Sequence, residues 1–226
     1  MANICIIPAR GGSKRIPKKN IKDFFGKPLI AYSIEVAKES GLFESVVVST
    51  DSLEIAEVAS SFNAEVMMRP AELSDDFTTS GAVVRYVVQT LREQGRSYEF
   101  VCTLYATAPL LEKKYLIEGY EKLKNSDACS SFSVTSTSAP IWRTFAIENG
   151  RCKMFFPEHF YTRSQDFEES YQDAGQFYWD RTGCSHKDVF FGRESIPVVL
   201  PRELVQDLDT LEDWRYLKKL YRCLKG

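Results

Sequence analysis

Asn3-Ile4-Cys5-Ile6-Ile7-Pro8-Ala9-Arg10-Gly11-Gly12-Ser13-Lys14-Arg15-Ile16-Pro17-Lys18-Lys19-Asn20 joins an apolar run to a loop crowded with cations. Ile4 to Ile7 predicts a short buried strand that breaks at Pro8. In the loop, Gly11 and Gly12 let successive backbone N–H groups converge on an anion. Arg10, Lys14, Arg15, Lys18 and Lys19 can add charge-assisted bonds to phosphate oxygens. This concentration of positive charge stands out in a chain whose formal net charge is only −2. A solvated basic loop is the plainer alternative, but the strand before it favours a polyphosphate cradle. Two familiar phosphate loops do not fit: there is no longer glycine loop ending in Lys-Ser/Thr, and no third glycine opening a following helix.

Downstream, Gly26-Lys27-Pro28 is expected to open a helix running to Ser40, with Ile30, Ile34 and Ala37 at helical spacing. Ser45 to Thr50 predicts a second strand closing on Asp51. Further helices are expected over about 53–61, 81–94 and 113–124, and strands over about 64–68, 99–105 and 128–134. Strand and helix alternating in this way predict a three-layer, Rossmann-like α/β fold with a mostly parallel sheet, whose ligands sit beyond the carboxyl ends of the strands. From Thr135 to Arg163 aromatics, serines and turn residues replace the helical period, so a β-rich excursion at about 135–170 is expected to leave the single domain and meet a second subunit. Residues 171–179 return as an extended segment, Pro197 to Pro201 forms a late strand, and Leu211 to Leu224 forms a last helix capped by Thr210.

With 44% hydrophobic and 27% charged residues the composition is that of an ordinary soluble protein, and its near-neutral balance argues against a general nucleic-acid surface. No apolar run reaches the roughly 18 residues of a membrane span, and the start lacks a secretory signature, so a cytoplasmic location is expected. The six cysteines form no Cys-x-x-Cys and are expected to be reduced core thiols. His159 and His186 stand alone without ligand spacing and are expected to be structural.

Asp207 and Asp209, two apart before the last helix, point to one side of an extended backbone, where they can hold one hard cation such as Mg²⁺ together with nucleotide phosphates. A solvated strand end would carry the same pattern. Arg69-Pro70-Ala71-Glu72-Leu73, followed by the polar stretch Ser74 to Ser80, is a third segment of interest.

In this order the three motifs resemble those of the CMP-sugar-acid synthetases, the cytidylyltransferases acting on sialic acid and related nonulosonic acids, and the resemblance spans nearly the whole chain. It implies a nucleotidyltransferase fold with a small dimerisation excursion, CTP as co-substrate, Mg²⁺ on Asp207 and Asp209, and a homodimer. Carried over by position, it puts Ala9, Arg10, Gly11, Ser13 and Lys19 along the triphosphate, Asn20 at the ribose, and Arg69, Thr78 and Ser80 at the base. Tyr105, Thr107, Arg163, Gln176 and Tyr178 fall in the sugar pocket. Sialic acid synthetases usually carry Gln-Pro-Thr-Ser-Pro where this chain has Tyr105-Ala106-Thr107-Ala108-Pro109, and Arg-Pro-Asn-Gly or similar at Gln172-Asp173-Ala174-Gly175. These departures resemble the branch acting on pseudaminic acid.

The implied reaction is attack of the anomeric hydroxyl on the α-phosphorus of CTP, giving CMP-sugar and pyrophosphate, with Asp207, Asp209, Arg10 and Lys19 carrying catalysis. No His or Lys is placed as a separate general base, so deprotonation is expected to be assisted by the metal or by a carboxylate of the pair. Legionaminic, N-acetylneuraminic or the eight-carbon lipopolysaccharide acid are alternative acceptors. A non-catalytic nucleotide-binding protein is the alternative of a different class.

Overall fold

A computed structural model of the chain describes residues 2–184 and 190–225; the expectation for His186 lies outside them. Its first strand is β1 (Asn3–Pro8), an interior strand of the sheet in which Ile4, Ile6 and Ile7 are completely buried. Burial on both faces explains why the run shows no alternation of polar and apolar residues. Two short paired strands, β2 (Asp23–Phe24) and β3 (Lys27–Pro28), follow. Helix α1 (Leu29–Glu39) therefore starts after Pro28, which caps it instead of occupying its first turn.

The alternation continues through β4 (Ser45–Thr50), α2 (Leu53–Ser61), β5 (Glu65–Met68), α3 (Ser80–Glu93), β6 (Phe100–Leu104), α4 (Lys113–Lys124) and β7 (Ser130–Ser136). A separate hairpin, β8 (Phe145–Glu148) and β9 (Arg151–Met154), occupies the segment read as an excursion. The chain then returns through β10 (Tyr171–Arg181), β11 (Ser195–Val199) and α5 (Leu211–Lys225).

Seven strands form one sheet in the order β11-β7-β10-β6-β1-β4-β5. Only β10 runs antiparallel, inserted between β6 and β7. From β1 the chain moves outward to β4 and β5 and then returns to β6 on the other side of β1. The loops after β1 and β6 thus flank the point where strand order reverses, which is where α/β sheets bind ligands.

The larger core lies on the face covered by α1, α2, α4 and α5, where Leu29, Ile34, Leu116, Phe177, Trp179 and Trp214 pack together. On the opposite face, α3 packs Val84, Val87 and Leu91 over β1, β4 and β6. Beyond α3 the same face carries a smaller cluster of Phe132, Val134 and Tyr178, with Tyr105 and Phe190 against it.

The cysteines correct the sequence expectation. Cys5 and Cys102 are buried thiols, but Cys152 and Cys223 are exposed, and Cys129 and Cys184 are joined in a disulfide with Cα atoms 5.6 Å apart. The pair is far apart in sequence, so spacing gave no sign of it. Pairing of Asp180 with Ser130 in the β7/β10 ladder brings the two segments side by side.

Candidate active site

The first loop is built from the end of β1 upward. Ala9 is buried and its N–H donates to the Ser49 carbonyl, extending the strand pairing by one step. Gly11 donates its N–H to Asp51 Oδ1 (2.8 Å). A β-carbon on Gly11 would stand 2.9 Å from Ser52 Cβ, so close approach of two strand-end loops requires glycine here. The Ser13 N–H turns back onto the Gly11 carbonyl. Lys18 adopts a left-handed φ of 52° before a single 3-10 turn, Lys19–Ile21. In that turn Asn20 is buried and its side-chain amide donates to the Arg10 carbonyl (3.0 Å), tying the two ends of the loop together.

The acidic pair comes to the same place. Lys19 Nζ donates to the Leu208 carbonyl (2.6 Å), between the two aspartates, and Arg15 is ion-paired with Asp209 at 2.6 Å. Burial lowers the Lys19 pKa, while Asp209 and Asp207 oppose that shift by favouring the ammonium. The pair is braced from behind by α5. Asp213 Oδ2 accepts the N–H groups of Asp209 (3.1 Å) and Thr210 (2.7 Å), and the Asp213 N–H donates to Thr210 Oγ1 (3.2 Å), a reciprocal cap of the helix. The remaining loop cations face carboxylates too: Arg10 and Lys14 both pair with Asp76, and Lys18 pairs with Glu54.

Arg69 follows β5, and its N–H donates to the Thr50 carbonyl. Its side chain is buried, 3.6 Å from Asp51, and burial lowers its pKa against the pull of that carboxylate. Its Nε is enclosed without an acceptor, and the residue lines a cleft of about 200 Å³. Arg10, Lys19, Asn20, Thr78, Ser80, Tyr105 and Thr107 line the same cleft. Asp75 shapes one wall by accepting from both the N–H (2.7 Å) and the hydroxyl (2.6 Å) of Thr78.

A larger cleft of about 1430 Å³ opens beside it over the uncovered part of the sheet, and Ser80 and Tyr105 belong to both. Tyr178 lines this second space, its hydroxyl donating to Asp173 Oδ2 (2.6 Å) and its pKa pushed well up by burial and by that carboxylate. Asp180 lies two residues on, and burial pushes its carboxyl up to about 7.

Two expected sugar-pocket residues lie elsewhere. Gln176 is buried and its amide donates to the Leu204 carbonyl (2.6 Å), so it braces the segment leading to Asp207 and lines neither cleft. Arg163 is exposed on the excursion, paired with Asp166 at 2.7 Å. His159 packs between Trp142 and Phe167, as a structural residue would. Asp173 stands in the stretch 172–175 that the sequence already marked as a departure from the sialic acid pattern, whereas the partners Asp51, Asp76 and Asp213 were not singled out as site residues. Only Asp51, at the carboxyl end of a predicted strand, carried a signal that could have found it.

Residues 4–222 match the family described as Cytidylyltransferase. The chain belongs to the cytidylyltransferase family. Pseudaminic acid cytidylyltransferase of Campylobacter jejuni subsp. jejuni serotype O:2 is 48% identical over 98% of this chain and 97% of its own length. A Helicobacter pylori protein is 39% identical over 92% of this chain and 40% of its own length. It is named pseudaminic acid cytidylyltransferase and UDP-2,4-diacetamido-2,4,6-trideoxy-beta-L-altropyranose hydrolase. The fold of this cytidylyltransferase is shared with a CMP:2-keto-3-deoxy-manno-octonic acid synthetase solved with CTP, at a TM-score of 0.70 and 15% identity over 99% of both chains.

Proposed function

We propose that this cytidylyltransferase transfers CMP from CTP to the anomeric hydroxyl of pseudaminic acid and releases pyrophosphate. The observation that carries the proposal is the meeting of the cationic loop with the acidic pair, through the contacts of Lys19 with Leu208 and of Arg15 with Asp209. Identity of 48% to a pseudaminic acid enzyme supports the choice of acid. The Helicobacter relative's second activity concerns a diacetamido-trideoxy sugar, and we take the acid substrate here to carry acetamido groups and a deoxy carbon as well.

In this proposal cytosine enters the smaller cleft against Arg69, with Thr78 and Ser80 beside it and Asn20 at the ribose. Arg10, Ser13 and Lys19 hold the phosphates. Their positive charge stabilises the departing pyrophosphate. Asp207 and Asp209 would hold Mg²⁺. Two carboxylates leave most of its coordination to phosphate oxygens and water, as suits this ion. When bound it would neutralise phosphate charge and make a nearby hydroxyl more acidic. Arg15, ion-paired with Asp209, adds a further cation beside the pair.

A homodimer fits the excursion, which exposes Phe145, Ile147, Phe155, Phe160 and Tyr161. Arg163 lines neither cleft of its own chain and is assigned to the sugar pocket of a second copy. A cytoplasmic location is consistent with the use of CTP, and no helix among the described residues is long and apolar enough to cross a membrane.

The test is pyrophosphate release from CTP, with UTP and GTP as controls, offered pseudaminic, legionaminic and N-acetylneuraminic acids side by side. CTP with pseudaminic acid should give the highest kcat/KM. Failure to release pyrophosphate with any of the acids, despite CTP binding, would make the chain a nucleotide-binding protein only.

A further inference from the structure

The two stretches in which the chain departs from the sialic acid pattern meet in the fold. Tyr105, after β6, and Tyr178, on β10, have ring centroids 5.4 Å apart in the larger cleft. Behind Tyr178, Phe132 lies parallel to it and Phe190 packs edge-on at 5.2 Å, so one side of the cleft is an aromatic wall. At the edge of this wall stands Asp173, on the stretch of β10 where pairing with β7 shifts register before Tyr178. Gly175 takes a φ of +60° in this irregular stretch and returns its N–H to Asp173 Oδ1 (2.9 Å), while Oδ2 accepts the Tyr178 hydroxyl (2.6 Å).

This arrangement has a definite chemical sense. Each Asp173 oxygen is fixed by one bond from its own chain and retains a lone pair for the cleft. The Tyr178 proton is committed to Asp173, so its oxygen is left to accept. Asp173 and Tyr178 therefore offer a ligand acceptors only, beside aromatic faces suited to methyl groups. An acetamido group, with one N–H and one methyl, matches both features. A hydroxylated carbon chain matches only the acceptors.

We infer that Asp173 is a specificity-determining residue, accepting the N–H of the second acetamido group, the one that N-acetylneuraminic acid lacks, while the aromatic wall holds the methyl of that group, and that Tyr178 positions Asp173. The inference rests on the substrate assigned above and goes beyond it by naming the group that selects the acid.

Steady-state pyrophosphate release at saturating CTP, with pseudaminic and N-acetylneuraminic acids, tests this in the parent protein, Asp173→Asn and Tyr178→Phe. Asp173→Asn should raise KM for pseudaminic acid by about tenfold or more and erode the preference for it by a similar factor, with KM for CTP within about twofold of the parent. Tyr178→Phe should raise the same KM by about threefold, leaving kcat unchanged. An unchanged preference in both variants would overturn the assignment. So would a KM for CTP that rises in step with that for the acid, which marks a structural role. A parent protein that uses neither acid is a separate result: it refutes the substrate reading and takes this inference with it.

Discussion

Lys19 shows how a single side chain is defined by what surrounds it. Desolvation disfavours its charge, two carboxylates oppose that shift without cancelling it, and its ammonium is anchored to the backbone between them. Lys19→Met keeps most of the packing and removes the charge. It should lower kcat/KM by about a hundredfold or more with little loss of thermal stability. Asp180 gives a prediction of the opposite kind. Because burial raises its folded pKa to about 7, the folded state keeps a proton that the unfolded state releases near pH 4. Stability attributable to this group should therefore fall as pH rises from about 4 to 7 and stay level above. Asp180→Asn should remove that decline, so its melting temperature relative to the parent should be higher at about pH 8 than at about pH 4. A pH-independent difference would show that the carboxyl titrates normally. Of these site residues, composition and order disclosed the cations and the acidic pair. Their partners remained hidden, since Asp51, Asp76 and Asp213 acquire meaning only when the fold brings them to the loop.

Two elements hold the site from opposite ends of the chain. At the first loop, Gly11→Ala places a methyl 2.9 Å from Ser52 Cβ and forces the two strand-end loops apart. This should cost about 1–3 kcal/mol of stability and weaken CTP binding, measurable by denaturation and calorimetry. At the other end, Asp213→Ala removes the acceptor that fixes Asp209 and Thr210 and should cost about 1 kcal/mol as a lost cap. It should lower turnover more than Glu212→Ala in the same helical turn; equal turnover in the two variants would mean the brace is irrelevant to the site. Most elements were legible because a short apolar run bounded by turn residues marks a buried strand and an amphipathic helix leaves a helical period. The start of α1 was not, because Lys27 and Pro28 pair with β2 instead of entering the helix. Insertion of β10 between β6 and β7 was equally invisible, since no local pattern encodes which strand a returning segment joins.

Across the whole molecule, the expectation that failed was redox state. The Cys129–Cys184 bridge closes across the β7/β10 ladder, and protein purified without reductant should show four reactive thiols when unfolded, Cys5, Cys102, Cys152 and Cys223. Six would mean that the pair is reduced. What the sequence did convey at this scale is the alternation that builds the parallel sheet and brings its first loop to the point of strand reversal. The final segment arrives there by long-range packing of α5 through Trp214 and Leu217. The convergence of these distant segments on one nucleotide and its divalent ion is tested most directly by calorimetric titration of CTP into the parent and Asp209→Asn, with Mg²⁺ and again in EDTA. With Mg²⁺ the substitution should weaken binding by about tenfold or more; in EDTA, where the carboxylate only repels phosphate, it should leave affinity equal or improve it. An identical change under both conditions would contradict the account.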